Sequence, residues 1–283
     1  MSAHTLDSLL DGAGELSSLP DSWQRIDVVI SRPAANTAQI AEAIASDPAL
    51  SLRLLRMANS PMFGLSQRVE RLSQAVHLIG TRQLRELALA ASIIDMLAGS
   101  GRRERVVAFL RHSTATALFA RALASRRREP NVERVFVAGL LHDLGGFVIE
   151  QADPNLAAAN LATAMAQGKP LEQVEHNALG FDHATLGGAL IERWKLPLSL
   201  SEPVAYHHQP AAAQTHRIEA ALVHIAAIAV DLLGFSGEGP VCTPLDTKAW
   251  ELSGIDPGEL PAVASDMDAA LAPMIEILAG DAA

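Results

Sequence analysis

This 283-residue chain has a single cysteine, Cys242, and only 4% aromatic residues. One cysteine cannot close a disulfide within the chain, which fits a reducing, cytoplasmic setting. Scarce aromatics leave the core to aliphatic side chains, and at 49% hydrophobic residues these suffice to bury one. Long uninterrupted apolar runs are missing. Asp95 and Asp231 break the longest stretches, so no segment reads as a membrane span. The first 18 residues lack a basic start and carry Asp7, Asp11 and Glu15, which does not read as a signal peptide. Alternating strand patterns of convincing length and internal repeats are also missing. Abundant alanine and leucine, with only short β-branched runs, predict an all-α fold.

Charge is unevenly spread along the chain. Residues 1–50 hold 2 basic and 7 acidic side chains, residues 51–128 hold 14 and 4, and residues 129–283 hold 6 and 21, giving the net −10. A basic centre between acidic ends suits either solvated helix faces or a surface for an acidic partner, a nucleotide or a phosphate. A dedicated duplex-DNA binder would be basic overall, so nucleic acid is not the expected partner. Arg53 and Arg56, Arg68 and Arg71, and Arg82 and Arg85 each share a face if helical. They form either an exposed band or ion pairs with Glu42, Glu70 and Glu86.

Helix punctuation is dense. Asp47-Pro48 predicts a helix start, with helix to about Asn59. Met62-Phe63-Gly64-Leu65 reads as a buried loop. A short helix over Leu72–Ile79 stops at Gly80, and Thr81 opens one running to about Leu97. Gly99-Ser100-Gly101 is the expected lobe boundary, dividing an N-terminal lobe, 1–100, from a second lobe, 101–283. A long helix over 102–125 holds His112, and Asn131 caps the helix that delivers His142 and Asp143. Gly145-Gly146 reads as its terminator. Further helices are expected from Asp153-Pro154, from Asp182 with His183 at its start, from Leu196-Pro197 to Tyr206-His207-His208, and over 217–233. Residues 234–260 read as irregular, and Pro261–Leu278 as helix. Its apolar face (Leu271, Met274, Ile275, Leu278) suits the chain's own core or a second copy, so the oligomeric state stays open.

The chemistry concentrates in Leu140-Leu141-His142-Asp143-Leu144-Gly145. An imidazole beside a carboxylate at a helix end is a compact ligand pair for divalent iron, manganese, zinc or magnesium. His112, His183, His207 and His208 occupy other helix ends or interiors, and packed helices can aim such side chains into one cavity. The alternative is a histidine network that packs the helices and needs no ion.

These segments resemble the HDOD family, the HD-related output domain of bacterial signalling proteins. The resemblance covers about residues 17–230 and rests on SDPALSLRLLRMANSPMFGL (46–65), LSQAVHLIGTRQLRELAL (72–89), RHS (111–113), GLLHDLGG (139–146), GFDHATLGGALIERWKLP (180–197) and YHHQP (206–210). It implies an all-helical fold similar to HD phosphohydrolases and HD-GYP cyclic-dinucleotide phosphodiesterases. It also implies signal transduction by contact with other signalling proteins. By that resemblance His112, His142, Asp143, His183, His207 and His208 are the metal candidates, for iron, manganese, zinc, nickel or magnesium.

Two departures weigh against catalysis. The Lys that normally follows the HD-Gly doublet is Gly146. The position of the last aspartate is Ala227, and Asp231 lies one turn on, about 6 Å along the axis. Gln209-Pro210-Ala211-Ala212 replaces the GYP signature. The expected protein is therefore a regulatory module with a degenerate HD cavity and no efficient hydrolysis. The alternative is a metal-dependent phosphohydrolase with an altered ligand set.

Overall fold

Capping side chains set most helix starts in the computed structural model, which describes residues 4–99, 103–235 and 243–279. Among these residues the regular elements are sixteen α-helices and four short 3-10 turns, with no strand. In chain order the helices are α1 (Leu6–Asp11), α2 (Asp21–Ile30), α3 (Thr37–Ala45), α4 (Pro48–Ala58), α5 (Leu72–Ile79), α6 (Thr81–Gly99), α7 (Arg103–Arg127), α8 (Val132–Leu141), α9 (Leu144–Ala152), α10 (Pro154–Gln167), α11 (Leu171–Leu179), α12 (His183–Arg193), α13 (Leu198–Ala205), α14 (Arg217–Leu232), α15 (Thr247–Ser253) and α16 (Leu260–Ala279). No described helix is long and apolar enough to cross a membrane.

The all-α expectation is met, and the predicted caps work. Asp47 accepts from the Leu50 amide at 3.1 Å, Asn131 from Arg134 at 3.2 Å, and Asp182 from Thr185 at 2.7 Å. Each satisfies an amide that the first helical turn leaves without a partner. Three readings need correction. Gly145-Gly146 does not end a helix; both lie in the first turn of α9. Residues 234–260 include helix α15, capped by Asp246. The Met62–Leu65 stretch is not buried: Met62, Phe63 and Leu65 are half-exposed around a 3-10 turn, and Gly64 is exposed. Ser100, Gly101 and Cys242 lie outside the described residues.

The chain forms two compact units, Met1–Ser18 with Arg111–Met267, and Leu19–Leu110 with Asp268–Ala283. In the second unit α2 packs on α3 and α6, and α4 packs on α3, α5 and α6. Ile40 and Ile44, then Leu50, Leu54 and Met57, recur at helical spacing and are fully buried. Each such side chain contributes about 1.5–3 kcal/mol by leaving water. Asn59 ties the end of α4 to the following loop. Its amide donates to the Leu55 and Val69 carbonyls at 2.7 and 2.8 Å and accepts from the Val69 amide at 2.8 Å. Hydrogen bonding, not burial, therefore organises that loop.

In the first unit α12 packs on α9 and α13, and α14 packs on α8, α13 and α15. Two close approaches demand glycine. A Cβ on Gly145 would lie 2.0 Å from the His183 carbonyl oxygen, and one on Gly188 would lie 2.5 Å from the Ala205 Cβ. Gly145 is thus the contact that brings the start of α9 against the start of α12, and with it Asp143 near His183.

Candidate metal centre

Five helices deliver six candidate side chains to one place in the first unit. His112 comes from the middle of α7 and His142 caps the end of α8. Asp143 precedes α9, His183 opens α12, and His207 and His208 follow α13. His142, His183 and His207 are buried, while Asp143 keeps 32% of its side chain accessible. Solvent therefore reaches the carboxylate but little of the imidazole ring around it.

The six fall into two triads. In the first, His112 Nε2 lies 3.2 Å from both His142 Nε2 and Asp143 Oδ2, and the last two atoms are 3.3 Å apart. Ligand atoms held about 2.1 Å from one ion lie roughly 3.0 Å apart in an octahedron and roughly 3.4 Å apart in a tetrahedron. The triangle fits one face of either polyhedron. In the second triad, His183 Nε2 and His208 Nε2 are 2.8 Å apart, with His207 completing the group. Asp143 turns its other oxygen this way. Its Oδ1 lies 3.5 Å from His183 Nε2 and 3.8 Å from His207 Nε2. One carboxylate thus faces both triads.

The opposite edge of each ring explains why Nε2 points inward. His142 Nδ1 donates to the Gly139 carbonyl at 2.8 Å and His207 Nδ1 to the Val204 carbonyl at 2.7 Å. His183 Nδ1 donates to the buried Glu175 carboxylate at 2.6 Å, and the same carboxylate oxygen accepts the His183 amide at 2.9 Å. His208 Nδ1 lies 3.3 Å from the Thr243 hydroxyl, which donates to Glu172 at 3.1 Å. Asp231 Oδ1 stands 3.6 Å from His112 Nδ1. Carbonyls and carboxylates only accept, so the proton of the neutral rings sits on Nδ1 and the lone pair on Nε2. This outer layer of acceptors is the usual support of metal-binding imidazoles.

The facing nitrogens at 2.8 Å in His183–His208 and 3.2 Å in His112–His142 need either a proton or a cation between them. His207 Nε2 is also buried with no hydrogen-bond partner among the described residues. An orphaned lone pair aimed at a carboxylate and three other imidazoles fits a divalent cation.

Electrostatics follow from this packing. Burial pushes His142 down to about 4, against the pull of Asp143. Burial and neighbouring imidazoles hold His207 and His208 well below the usual range. Burial also opposes charge on His183, but Glu175 outweighs it, with help from Asp143 and Asp182, and lifts the ring to about 10. Burial disfavours the Asp143 carboxylate, yet His142, His112 and His183 keep it well below the ordinary value. Asp143 is thus an anion and His142, His207 and His208 are neutral, as metal ligands must be. Against burial, Asp143 and Asp231 also raise His112, so His112 and His183 would give up a proton to an incoming ion.

Several contributors were not legible beforehand. Glu172 and Glu175 of α11, and Thr243 from the segment before α15, support the histidines from outside. His224, buried in α14, donates from Nδ1 to the His207 carbonyl at 2.6 Å and accepts the Asp246 amide at 2.9 Å, so both its nitrogens are engaged in fixing the His207-His208 turn. Asp231 approaches His112 at Nδ1, the side away from Nε2. Of the arginine band, Arg53 pairs with Asp95. Arg85 pairs with Asp27 at 2.6 Å and lies over the Trp23 ring. Arg85 also lies 3.8 Å from Glu86.

A family model described as the HDOD domain matches residues 16–210. A protein of Shewanella amazonensis SB2B, named as a candidate phosphohydrolase, superposes with a TM-score of 0.72 at 25% identity, over 96% of this chain and 98% of its own. An HDOD domain protein of unknown function from Geobacter sulfurreducens gives 0.72 at 24% identity, over 97% and 96%. A protein of Marinobacter aquaeolei VT8, named as a candidate signal transduction protein, gives 0.70 at 20% identity, over 99% of this chain and 62% of its own. An uncharacterized protein of Treponema pallidum (strain Nichols) is 26% identical over 202 residues, 71% of this chain. This chain spans 39% of the length of that curated relative. The family match covers more than half of the sequence and agrees with the helical fold and the order of the motifs, so the chain belongs to the HDOD family.

Proposed function

We propose that this protein is a signalling module that acts by contact with other proteins and carries a divalent metal centre for binding rather than efficient hydrolysis. The observation that carries the metal reading is the convergence of four Nε2 atoms, those of His112, His142, His183 and His207, on the two oxygens of Asp143, with His208 Nε2 beside His183. His112, His142 and Asp143 Oδ2 would hold one ion. His183, His207, His208 and Asp143 Oδ1 would hold a second. The imidazole-rich set suits iron, zinc or nickel, and the shared carboxylate also admits manganese. A bound divalent ion supplies Lewis acidity toward a phosphoryl oxygen.

The case against efficient turnover rests on what the chain puts beside these ligands. Gly146 offers no ammonium to a phosphate. A Cβ there would lie 3.8 Å from the His183 Cβ, so the position has room for a side chain it lacks. Ala227 offers no carboxylate, and Asp231 engages the outer edge of His112. Asp143 therefore remains, among the described residues, the one carboxylate within 4 Å of the Nε2 atoms, and the anionic ligand count is low for a hydrolytic dinuclear site.

A second reading, a metal-dependent phosphohydrolase, is favoured by one observation: the two oxygens of Asp143 point to different triads. The name of the Shewanella relative leans the same way. The test is incubation of the full chain, loaded with manganese, iron or zinc, with cyclic di-GMP and bis(p-nitrophenyl) phosphate. The binding reading expects retained metal and no turnover above the Asp143→Ala background. Turnover that vanishes in both His142→Ala and Asp143→Ala would replace it with the hydrolase reading.

A further inference from the structure

Two separate hydrogen-bonded connections run from adjacent members of the second triad into one short segment, residues 243–246. The first starts at the side chain of His208. Its Nδ1 lies 3.3 Å from the Thr243 hydroxyl, which donates to the buried Glu172 carboxylate at 3.1 Å. With its own proton on Glu172, that hydroxyl accepts from His208 Nδ1, and the His208 lone pair is on Nε2. The second starts at the main chain of His207. Its carbonyl accepts from His224 Nδ1 at 2.6 Å, and His224 Nε2 accepts the Asp246 amide at 2.9 Å. A backbone amide only donates, so the buried His224 ring must be neutral to bridge the two. Asp246 in turn caps α15 by accepting the Lys248 amide at 2.9 Å.

The segment is thus tied at both ends to the His207-His208 turn, while Pro244 and Leu245 between the ties are exposed. The far end of α15 is held elsewhere, by Arg127 donating to the Ser253 carbonyl. Only the near end of α15 depends on the histidines. A cation on His208 Nε2 draws electron density through the ring and makes Nδ1–H a stronger donor, so the bond to Thr243 strengthens and polarises the one to Glu172. A cation on His207 Nε2 fixes the turn whose carbonyl His224 holds. Both effects act on the same four residues in the same direction.

We propose that residues 243–246 are a strap that couples ion occupancy of the second triad to the start of α15: a bound ion tightens the strap, and its loss loosens it. The strap rests on the metal reading above and adds its regulation. It carries the state of a buried centre to the exposed Leu245, and Thr243 and His224 are its two positioning residues.

Hydrogen–deuterium exchange of the full chain, stripped with EDTA or loaded with zinc, tests this, with zinc content measured on the same samples. Zinc slows exchange over 243–250 by about fivefold or more, the size of an ordinary coupling between sites. A purely structural tie would protect these residues equally with and without zinc. Thr243→Val removes the hydroxyl from a half-buried position. At zinc concentrations that fill the centre, this variant loses most of the slowing over 243–250 and keeps it over 183–187. Its zinc affinity also falls by about fivefold or more, because coupling is reciprocal. His224→Phe cuts the other connection and loses the slowing over the same residues; should it fail to fold, Thr243→Val decides alone. Zinc retained with unchanged exchange over 243–250 overturns the strap and leaves the metal reading standing. So does a slowing that Thr243→Val leaves intact. A chain that retains no zinc overturns the zinc centre and the strap together.

Discussion

The two units differ most in where they keep their polar groups. Met1–Ser18 with Arg111–Met267 holds 11 basic and 21 acidic residues and so the entire net charge, while Leu19–Leu110 with Asp268–Ala283 holds 11 of each. The first unit buries His142, His183, His207, His224, Glu172 and Glu175. The second buries chiefly aliphatic side chains around Trp23, and most of its arginines stay at least partly exposed. Buried titratable groups are costly unless each has a partner. Their concentration in one unit marks it as the site that gives up packing economy for chemistry. The other unit follows ordinary rules of helix capping and apolar spacing.

Substitutions should therefore separate cleanly between the units. The largest effect is expected at Gly145→Ala. The new methyl meets the His183 carbonyl at 2.0 Å, so α9 and α12 must move apart. A loss of about 3 kcal/mol in unfolding free energy is expected, together with loss of metal retention. Chemical denaturation and elemental analysis of the same sample check both. If metal retention survived, the α9–α12 contact would not be what positions Asp143.

Glu175→Gln comes next. It keeps the shape and removes the charge that fixes the His183 tautomer. Metal affinity should fall by about 10- to 100-fold with little change in helix content, as outer-layer substitutions do elsewhere. A competitive chelator titration reads this, and unchanged affinity would mean that His183 is not a ligand. In the second unit, Asp47→Ala removes the α4 cap and should cost about 1 kcal/mol. Metal affinity should stay at the wild-type value; a parallel loss would show that the comparison between units is drawn too sharply.

What the sequence made legible follows the same division. Asp47-Pro48, Asn131 and Asp182 announced their helices because a cap is a local event, read within four residues. The six candidate side chains could be singled out because histidine beside aspartate at a helix end is rare chemistry, and the HDOD motifs put the rest in order. Glu175, Glu172, Thr243 and His224 gave no signal, since each matters only through a contact made by tertiary packing. Gly145 misled for the same reason. Glycine at that point looks like a helix stop, whereas the structure uses it for close approach of two backbones. The Met62–Leu65 loop was misjudged because its apolar letters outweighed Asn59, whose three hydrogen bonds hold it in place.

The most direct measurement is the metal content of the purified full chain after incubation with manganese, iron or zinc and exhaustive desalting, compared with Asp143→Ala. Wild type should retain tightly held divalent ion and the variant should lose most of it. A wild-type protein that retains none of the three metals, or a variant that retains as much as wild type, would contradict a metal centre built around Asp143.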